Sequence, residues 1–264
     1  MRILIIGPGR AGGALALAAS AGGHEICGVV ARSTPRWDLG FPVVSGSWPE
    51  VDLIVIATRD GEIVAAAGEV GARHPPADVV HLSGAIGLSA LASLATAGWE
   101  TGSFHPLQTL PDPYGGARAL AGAWVGVTAS GSLRTRLGEL ASSLRMRDFD
   151  LADDARTTYH AGAVAASSFL LAALDLAQQF FVKANVPFAA AEPLAAAVVS
   201  NAFALGPRPS LTGPIARQDW DTVRLLRAAA LEVGADALGQ FDHLTEATAI
   251  TAAVVIPSDL KELP

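Results

Sequence analysis

A glycine-rich turn directly follows the first apolar run of the chain. The run is Ile3-Leu4-Ile5-Ile6, and the turn is Gly7-Pro8-Gly9-Arg10-Ala11-Gly12. In such a G-x-G-x-x-G turn the first glycine permits the tight turn, the second lets backbone N–H groups approach a pyrophosphate, and the third lets a helix pack against the strand. The helix predicted next adds its N-terminal N–H groups. The motif predicts a dinucleotide-binding unit, and a plain strand–helix turn is the alternative.

The end of the second predicted strand, which covers residues 24–31, indicates the type of dinucleotide. NAD-binding domains usually place Asp or Glu here to bind the ribose 2′-hydroxyl. This chain has Arg32 and Ser33 instead, followed by Arg36. Because a guanidinium suits a 2′-phosphate, we predict NADP(H), with Arg32 and Ser33 as its main contacts. The alternative is that Arg32 is a solvated loop residue.

Composition excludes several other classes. The 264 residues are 51% hydrophobic and carry a net charge of −7, which argues against nucleic acid or an anionic membrane as partner. A single cysteine, Cys27, excludes a disulfide within the chain, and no His, Asp or Glu cluster has metal-ligand spacing. The glycine turn cuts the N-terminal apolar run, unlike a signal peptide, and the apolar stretch 161–174 is too short to span a bilayer. We expect a cytoplasmic protein.

The first half of the chain alternates strand and helix patterns. Apolar strands are predicted at 3–6, 24–31, 51–57, 78–82, 101–104 and 124–128, with helices after the first strand and at 61–72 and 133–144. This spacing predicts a doubly wound parallel sheet of Rossmann-like type. Ligands of such sheets lie beyond the carboxyl ends of the strands, so Thr58, Ser83 and His105 should line one crevice.

From about Leu151 only helical patterns follow. A long helix is predicted from Asp153 or Asp154 to about 184, and further helices at 189–204, 219–233 and 235–253. The long helix is apolar nearly all round, so we expect it at the buried centre of a bundle. The domains are therefore predicted as 1–150, which binds the dinucleotide, and 151–264, which is all-α, with the active site between them. The apolar helix also predicts a homodimer through the C-terminal helices.

His105 is the strongest catalytic candidate in the cofactor domain. It follows a strand in Ser103-Phe104-His105-Pro106-Leu107-Gln108-Thr109, and an imidazole can supply the proton that a carbonyl reduction needs. The alternative is a structural bond to the backbone around Pro106. Gln108 could hold a substrate carboxylate or carbonyl.

A second strand end offers Ser83 and Gly84. Gly84 would permit a close approach of the cofactor ring, and Ser83 could bond its carboxamide or the substrate. A tight turn with a capping serine is the alternative. His81, inside the strand, is interpreted as a core histidine with its hydrogen bonds satisfied.

The helical domain contributes further candidates for the substrate site. His160, Ser167 and Ser168 are polar positions on an otherwise apolar helix, where they need partners, and back-bonding by a serine is the alternative. Thr212 and Arg217 follow in a loop, where a guanidinium suits a carboxylate substrate. Pairing of Arg217 with Asp219, or a helix cap by Asp219, is the competing explanation.

Five segments in this order resemble one family. They are the glycine turn, His81-Leu82-Ser83-Gly84-Ala85, the His-Pro-Leu-Gln-Thr segment at 105–109, Tyr159-His160-Ala161 and Leu211-Thr212-Gly213-Pro214-Ile215-Ala216-Arg217. The chain resembles Rossmann-like proteins with a DUF2520 C-terminal domain, which are similar to the 6-phosphogluconate-dehydrogenase-like superfamily. Relatives usually have Asn at position 168 and Gly at position 218, where this chain has Ser168 and Gln218.

The resemblance implies an NADP-dependent oxidoreductase whose helical domain often dimerises. Some relatives resemble ketopantoate reductases, which makes a 2-oxo acid the expected substrate. The His105-Pro106 placement is also similar to that in prephenate and arogenate dehydrogenases, whose histidine acts on the substrate hydroxyl. An imine reductase, as in pyrroline-carboxylate reductases of the superfamily, and an NADP(H)-binding sensor without turnover are the alternatives.

Overall fold

The computed structural model describes residues 1–260 and divides into two compact units. The first is Met1–Val164 and the second is Ala165–Pro264. The division therefore lies fourteen residues beyond the predicted boundary at 150, since 164 − 150 = 14. The difference arises because the short helical segment Asp153–Ala155 and the first helix after it belong to the sheet unit.

A seven-stranded sheet forms the centre of the first unit. Its strands, in chain order, are β1 Arg2–Ile6, β2 Glu25–Val30, β3 Leu53–Ile56, β4 Asp78–His81, β5 Thr101–Leu107, β6 Trp124–Thr128 and β7 Arg147–Asp150. Their order in space is β2-β1-β3-β4-β5-β6-β7. Strands β1, β3 and β4 are almost entirely buried, because residues that face both layers of a doubly wound sheet must be apolar.

Helices cover both faces of the sheet. They are α1 Arg10–Ala21, α2 Ile63–Arg73, α3 Ala92–Thr96, α4 Pro113–Leu120, α5 Gly131–Ser143 and α6 Arg156–Val164, with short 3-10 helices at Asp60–Glu62, Leu88–Leu91 and Asp153–Ala155. One core cluster joins the sheet to α1, α4 and α5. A second joins the opposite face to α2 and α3. The predicted doubly wound α/β architecture is confirmed.

The sheet departs from the predicted parallel arrangement at one edge. Strand β6 runs antiparallel to β5, and β7 runs parallel to β6. The last residue of β5, Leu107, pairs with the first residue of β6, Trp124, so β6 starts at the edge of the sheet where β5 ends.

The second unit is helical, as predicted. It contains a π-helical segment Ala165–Phe169, α7 Leu170–Lys183, a 3-10 helix Phe188–Ala191, α8 Glu192–Leu205, α9 Pro207–Ser210, α10 Trp220–Val233, α11 Ala235–Ala252 and a 3-10 helix Ser258–Leu260. Asp219 caps α10 by accepting a hydrogen bond from the backbone N–H of Thr222. The competing explanation for Asp219, a helix cap, is therefore the observed one.

The expectation that the long helix is the buried centre of a bundle is wrong for a single chain. Leu176 is the one buried residue of α7, and α8 has none. Large apolar side chains are exposed on four helices of the unit, including Leu171, Val182, Leu194, Phe203, Leu225 and Ile250. Apolar composition indicates that a surface needs to be covered, but it does not say whether the same chain or another copy covers it.

Two helical runs, 153–183 and 188–205, are long and apolar enough to cross a membrane by length and composition alone. The stretch 161–174, which by itself is too short, is the centre of the first of these runs. One or two such helices are weak evidence for a membrane protein. Arg156 lies near the start of the first run, and its side chain is buried within the sheet unit.

Candidate functional site

The glycine turn has the geometry that the motif predicts. Gly7 has a φ of +91°, which a residue with a side chain rarely adopts. A Cβ at Gly12 would lie 2.3 Å from the carbonyl oxygen of Gly7, so the helix packs too closely for any side chain there. Gly9 precedes α1 without a side-chain cap, and nothing lies within 4 Å of where its Cβ would be. The N-terminal N–H groups of α1 are thus open to a ligand.

A cleft of about 570 Å³ adjoins this turn. It is lined by Gly7, Pro8, Gly9, Arg32, Ser33, Arg36, Thr58, Arg59, Glu62 and other residues at the ends of β1, β2 and β3. The predicted contacts Arg32, Ser33 and Thr58 therefore lie on one cleft with the first half of the motif. Arg10 and Ala11 form the first turn of α1.

Arg32 is an exposed loop residue whose guanidinium pairs with a carboxylate at the cleft. Its Nη1 donates a hydrogen bond of 3.1 Å to Oε1 of Glu62, and both side chains are exposed. An exposed ion pair of this kind contributes little to stability. The guanidinium is therefore held at the cleft, but another anion can take the place of Glu62.

His105 lies in β5, and its ring meets side chains rather than backbone. Its Nδ1 is 2.7 Å from the hydroxyl oxygen of Tyr159. The two rings meet edge to face, with centroids 5.4 Å apart. No hydrogen bond joins the imidazole to the backbone around Pro106, which was the structural alternative. The side chain of His105 is thus part of a cluster built between β5 and α6.

Gly84 brings a second imidazole to the same place. A Cβ at position 84 would lie 2.7 Å from Nε2 of His105 and 2.6 Å from Nδ1 of His160. The ring centroids of the two histidines are 5.9 Å apart. The glycine therefore makes room for two imidazoles, whereas the sequence suggested that it makes room for a cofactor ring. Nδ1 of His160 is buried and makes no hydrogen bond to any residue of the described chain.

Ser83 forms the tight turn that was the alternative to a functional role. Its Oγ accepts hydrogen bonds from the backbone N–H groups of Ala85, at 3.2 Å, and Ile86, at 3.0 Å. These bonds use the lone pairs of the oxygen. The hydroxyl hydrogen is still available for donation, so the catalytic and cofactor roles of Ser83 stay predictions.

Burial, together with the neighbouring His160 and Arg156, lowers the pKa of His105 to about 4. The sequence suggested a histidine that titrates near neutral pH. At that pH only about one His105 ring in a thousand carries a charge in this structure. If His105 delivers a proton, it does so as a neutral imidazole that carries one N–H.

Arg156 is the buried cation behind the two histidines, and sequence patterns did not single it out. Its side chain is 1% exposed. It donates hydrogen bonds to the carbonyl oxygen of Ser83 at 3.0 Å, to Oγ1 of Thr128 at 2.9 Å and to Oδ1 of Asp153 at 3.1 Å. The guanidinium thereby connects the turn after β4, the end of β6 and the start of α6.

Asp153 makes two contacts that the sequence did not predict. It was predicted as one of two possible first residues of the long helix, and its carboxylate accepts a hydrogen bond of 2.9 Å from the backbone N–H of Leu88. It therefore caps the 3-10 helix that follows the Ser83 turn, while it pairs with Arg156. Because arginine is usually exposed, only the tertiary structure identifies this pair of a buried arginine and an exposed aspartate.

Two further polar side chains are buried beside the cluster. His81 of β4 and Ser103 of β5 are register partners, and both are fully buried. Neither ring nitrogen of His81, nor Oγ of Ser103, has a hydrogen-bond partner among the described residues. Burial lowers the pKa of His81 to about 4, so its ring is neutral. The interpretation of His81 as a core histidine agrees with its burial, and the backbone of Gly87 lies near enough to the ring to oppose the lowering of its pKa.

The other predicted substrate residues lie outside the segments that build this cluster. The amide of Gln108 donates to the carbonyl oxygen of Ala119 and accepts from the N–H of Thr109, so it serves the loop after β5. Ser167 and Ser168 lie in the π-helical segment, and Thr212 and Arg217 are exposed. Their roles in substrate binding stay predictions.

Known proteins share this fold. BF3122 from Bacteroides fragilis, a presumed NADP oxidoreductase, is 22% identical with a TM-score of 0.78, and the match covers 94% of this chain and 97% of that one. A reductive aminase from Aspergillus terreus, solved with NADPH and ethyl levulinate, is 18% identical with a TM-score of 0.65, covering 94% and 93%. The 1-pyrroline-5-carboxylate reductase of Streptococcus pyogenes is 20% identical with a TM-score of 0.60, covering 94% and 98%.

A search of curated proteins found no match. A comparison with protein-family profiles matched residues 123–248 to a domain of unknown function, DUF2520. The matched segment begins at β6 and ends within α11, so it includes the last two strands of the sheet as well as helices. The resemblance to DUF2520 proteins found in the sequence is confirmed for residues 123–248, and the first unit has the Rossmann-like fold that the resemblance implies.

Proposed function

We propose that the protein is an NADP(H)-dependent oxidoreductase that reduces a polarised double bond, C=O or C=N, of a small molecule. The carrying observation is that the glycine turn and the His105 cluster lie at the carboxyl edge of one sheet. Strands β1 and β5 are three positions apart, or about 14 Å. An extended dinucleotide covers this span, so a cofactor whose phosphates lie at Gly9 reaches the strands that carry Ser83 and His105.

The described residues fit NADP(H). The open glycine turn and the free N-terminus of α1 suit a pyrophosphate, and Arg32 with Ser33 suits a 2′-phosphate. When bound, NADPH supplies the hydride. The names of BF3122, an NADP oxidoreductase, and of the reductive aminase solved with NADPH support the same cofactor.

The leading substrate candidate is a 2-oxo acid such as ketopantoate. His105 would deliver the proton to the oxygen, His160 would orient the substrate, and Arg217 would bind a carboxylate. Gln108, Ser167, Ser168 and Thr212 are the further residues proposed to bind the substrate. Reduction of a cyclic or open imine is the second candidate, which the names of the reductive aminase and the pyrroline-5-carboxylate reductase favour. A neutral imidazole N–H can serve an imine nitrogen as well as a carbonyl oxygen.

A cofactor sensor without turnover is less well supported. A sensor needs the cleft at the glycine turn, but it has no use for two imidazoles held together at Gly84. The nitrogen of His160 that faces Gly84 is buried without a partner in the described chain. Unpaired buried polar atoms are costly, and they are typical of sites where a substrate supplies the missing bond.

The cofactor preference tests the proposal first. NADPH should bind more tightly than NADH, and Arg32→Ala should lower NADPH affinity about tenfold or more, because a charge-assisted hydrogen bond is worth roughly 1.5–3 kcal/mol. NADH affinity should hardly change. Calorimetric titration of both cofactors measures the two effects.

Glu62→Gln is the matched control for this prediction. It removes the carboxylate that pairs with Arg32 and leaves the guanidinium in place, so NADPH should bind as tightly as before or more tightly. Equal affinities of the unmutated protein for NADPH and NADH would refute the assignment of Arg32.

We further propose a cytoplasmic homodimer in which the helices of the second unit pack together. The exposed apolar side chains of α7, α8, α10 and α11 support it, because monomers rarely expose so much apolar surface. A stable dimer should bury well over ~1,200 Å² in total. Light scattering at micromolar concentration should therefore give twice the mass of the chain.

The dimer prediction has a matched pair of variants. Phe203 of α8 is 88% exposed, so Phe203→Glu should shift the protein toward a monomer. Val64 of α2 is also exposed but lies in the sheet unit, so Val64→Glu should leave the mass unchanged. A monomeric unmutated protein would contradict the proposal.

A further inference from the structure

Tyr159 and His105 form a hydrogen-bonded pair whose direction follows from their acid–base chemistry. The phenol oxygen lies 2.7 Å from Nδ1 of His105. A phenol is a much stronger acid than a neutral imidazole N–H, and an imidazole nitrogen is a much stronger base than a phenol oxygen. Tyr159 therefore donates its hydrogen to Nδ1. In the neutral ring the remaining hydrogen then lies on Nε2, the atom that faces Gly84 and His160.

We propose that Tyr159 is a second catalytic group, which passes its proton through the His105 ring to the substrate. The proposal rests on the proposed reductase function. It adds Tyr159 to the site, because the phenol is then the source of the proton that His105 passes to the substrate.

The relay keeps the charge of the imidazole unchanged. As the substrate carbon gains a hydride, the π electrons of the double bond move to its oxygen or nitrogen. That atom binds the hydrogen of Nε2, and the electron pair of the N–H bond stays on the ring. Nδ1 in turn binds the hydrogen of Tyr159, and the O–H electron pair stays on the phenolate. The starting state returns when the phenolate takes the hydrogen of Nδ1 back and Nε2 binds a proton from solvent, since His105 and Tyr159 are both partly exposed.

The charges around the pair are consistent with this route. Burial raises the pKa of Tyr159 to about 12, while the Arg156 guanidinium acts in the opposite direction and would stabilise the phenolate. The groups that face His105 are His160, Arg156, His81 and the carboxylate of Asp60; the net result is a lowered pKa and a neutral ring. A neutral ring must be resupplied with each proton that it gives away, and Tyr159 is the hydrogen-bonded group that can do so.

The first test needs no substrate. The ¹⁵N chemical shifts of the His105 ring in the ligand-free protein distinguish the two neutral tautomers. We expect hydrogen on Nε2 and none on Nδ1 near neutral pH, and loss of this preference in Tyr159→Phe. Hydrogen on Nδ1 in the unmutated protein would overturn the relay. Because this measurement does not depend on turnover, it separates failure of the relay from failure of the proposed function.

The second test uses kinetics. Tyr159→Phe keeps the packing of the ring and removes the proton, so kcat should fall about 10²-fold or more, with KM and NADPH affinity unchanged. The chain has one other tyrosine, Tyr114, whose hydroxyl donates to the carbonyl oxygen of Asp38. Tyr114→Phe is the matched control and should retain kcat. Unchanged kcat in Tyr159→Phe would overturn the proposal.

A fluorinated tyrosine distinguishes a proton source from a structural hydroxyl. In the Tyr114→Phe background, fluorotyrosine labels Tyr159 alone. The fluorinated phenol is more acidic, so the alkaline limb of the kcat profile should move to lower pH. A profile that does not move would assign the hydroxyl to structure only.

Discussion

Replacing His105 with asparagine is expected to lower kcat about 10²–10⁴-fold, the usual loss when a positioned proton donor is removed. The affinity for NADPH should stay the same, because the ring lies at Gly84 and Tyr159, whereas the cofactor phosphates are expected at the glycine turn. Steady-state kinetics with a substrate, together with calorimetric titration of NADPH, measure both effects.

His243→Asn is the control for this variant, since His243 is exposed on α11. It should retain full activity. His160→Ala should behave differently from His105→Asn and raise KM as well as lower kcat, because its proposed role is partly to orient the substrate. A His105→Asn protein with kcat near that of the unmutated protein would remove His105 from the mechanism.

Arg156→Met is expected to have the largest effect on stability. The substitution leaves the carbonyl oxygen of Ser83 and Oγ1 of Thr128 without a buried donor, at a cost of about 3 kcal/mol. For a chain of this size the Tm should fall by roughly 6–12 °C. The pKa of His105 should also rise, because Arg156 is one of the groups that lower it. Calorimetry and ¹⁵N NMR titration measure the two effects.

Arg224→Met is the matched control for the buried arginine. Arg224 pairs with two carboxylates, those of Asp221 and Asp259. Both carboxylates are exposed, and the side chain of Arg224 is partly exposed. Exposed pairs of this kind contribute less than about 1 kcal/mol. Similar losses of Tm in the two variants would show that the bonds of Arg156 have no special importance.

Much of the fold could be predicted from periodicity, because strands buried on both faces are continuously apolar. Strand β7 was missed for a physical reason. Its sequence, Arg147-Asp148-Phe149-Asp150, lacks a buried face, and charged residues are typical of an edge strand. The predicted direction of β6 was also wrong, because the apolar pattern of a strand indicates its burial and not the direction in which it runs.

The candidate site was predicted in part. Ser83 and Gly84 follow the end of β4, His105 lies near the end of β5 although the predicted strand stopped at 104, and His160 was visible as a polar residue on an apolar helix. The contacts of Arg156 with Ser83 and Thr128 come from residues far apart in the chain, so no spacing could indicate them. The low pKa of His105 likewise depends on burial and on charges that only the tertiary structure brings together.

The most direct test of the central claim is NADPH oxidation across a panel of 2-oxo acids, including ketopantoate, and of cyclic and open imines. We predict oxidation with a member of the panel and transfer of deuterium from C4-deuterated NADPH to the reduced carbon or to the carbon of the reduced C–N bond. Tight NADPH binding without oxidation by any member of the panel would contradict the account and favour a cofactor sensor.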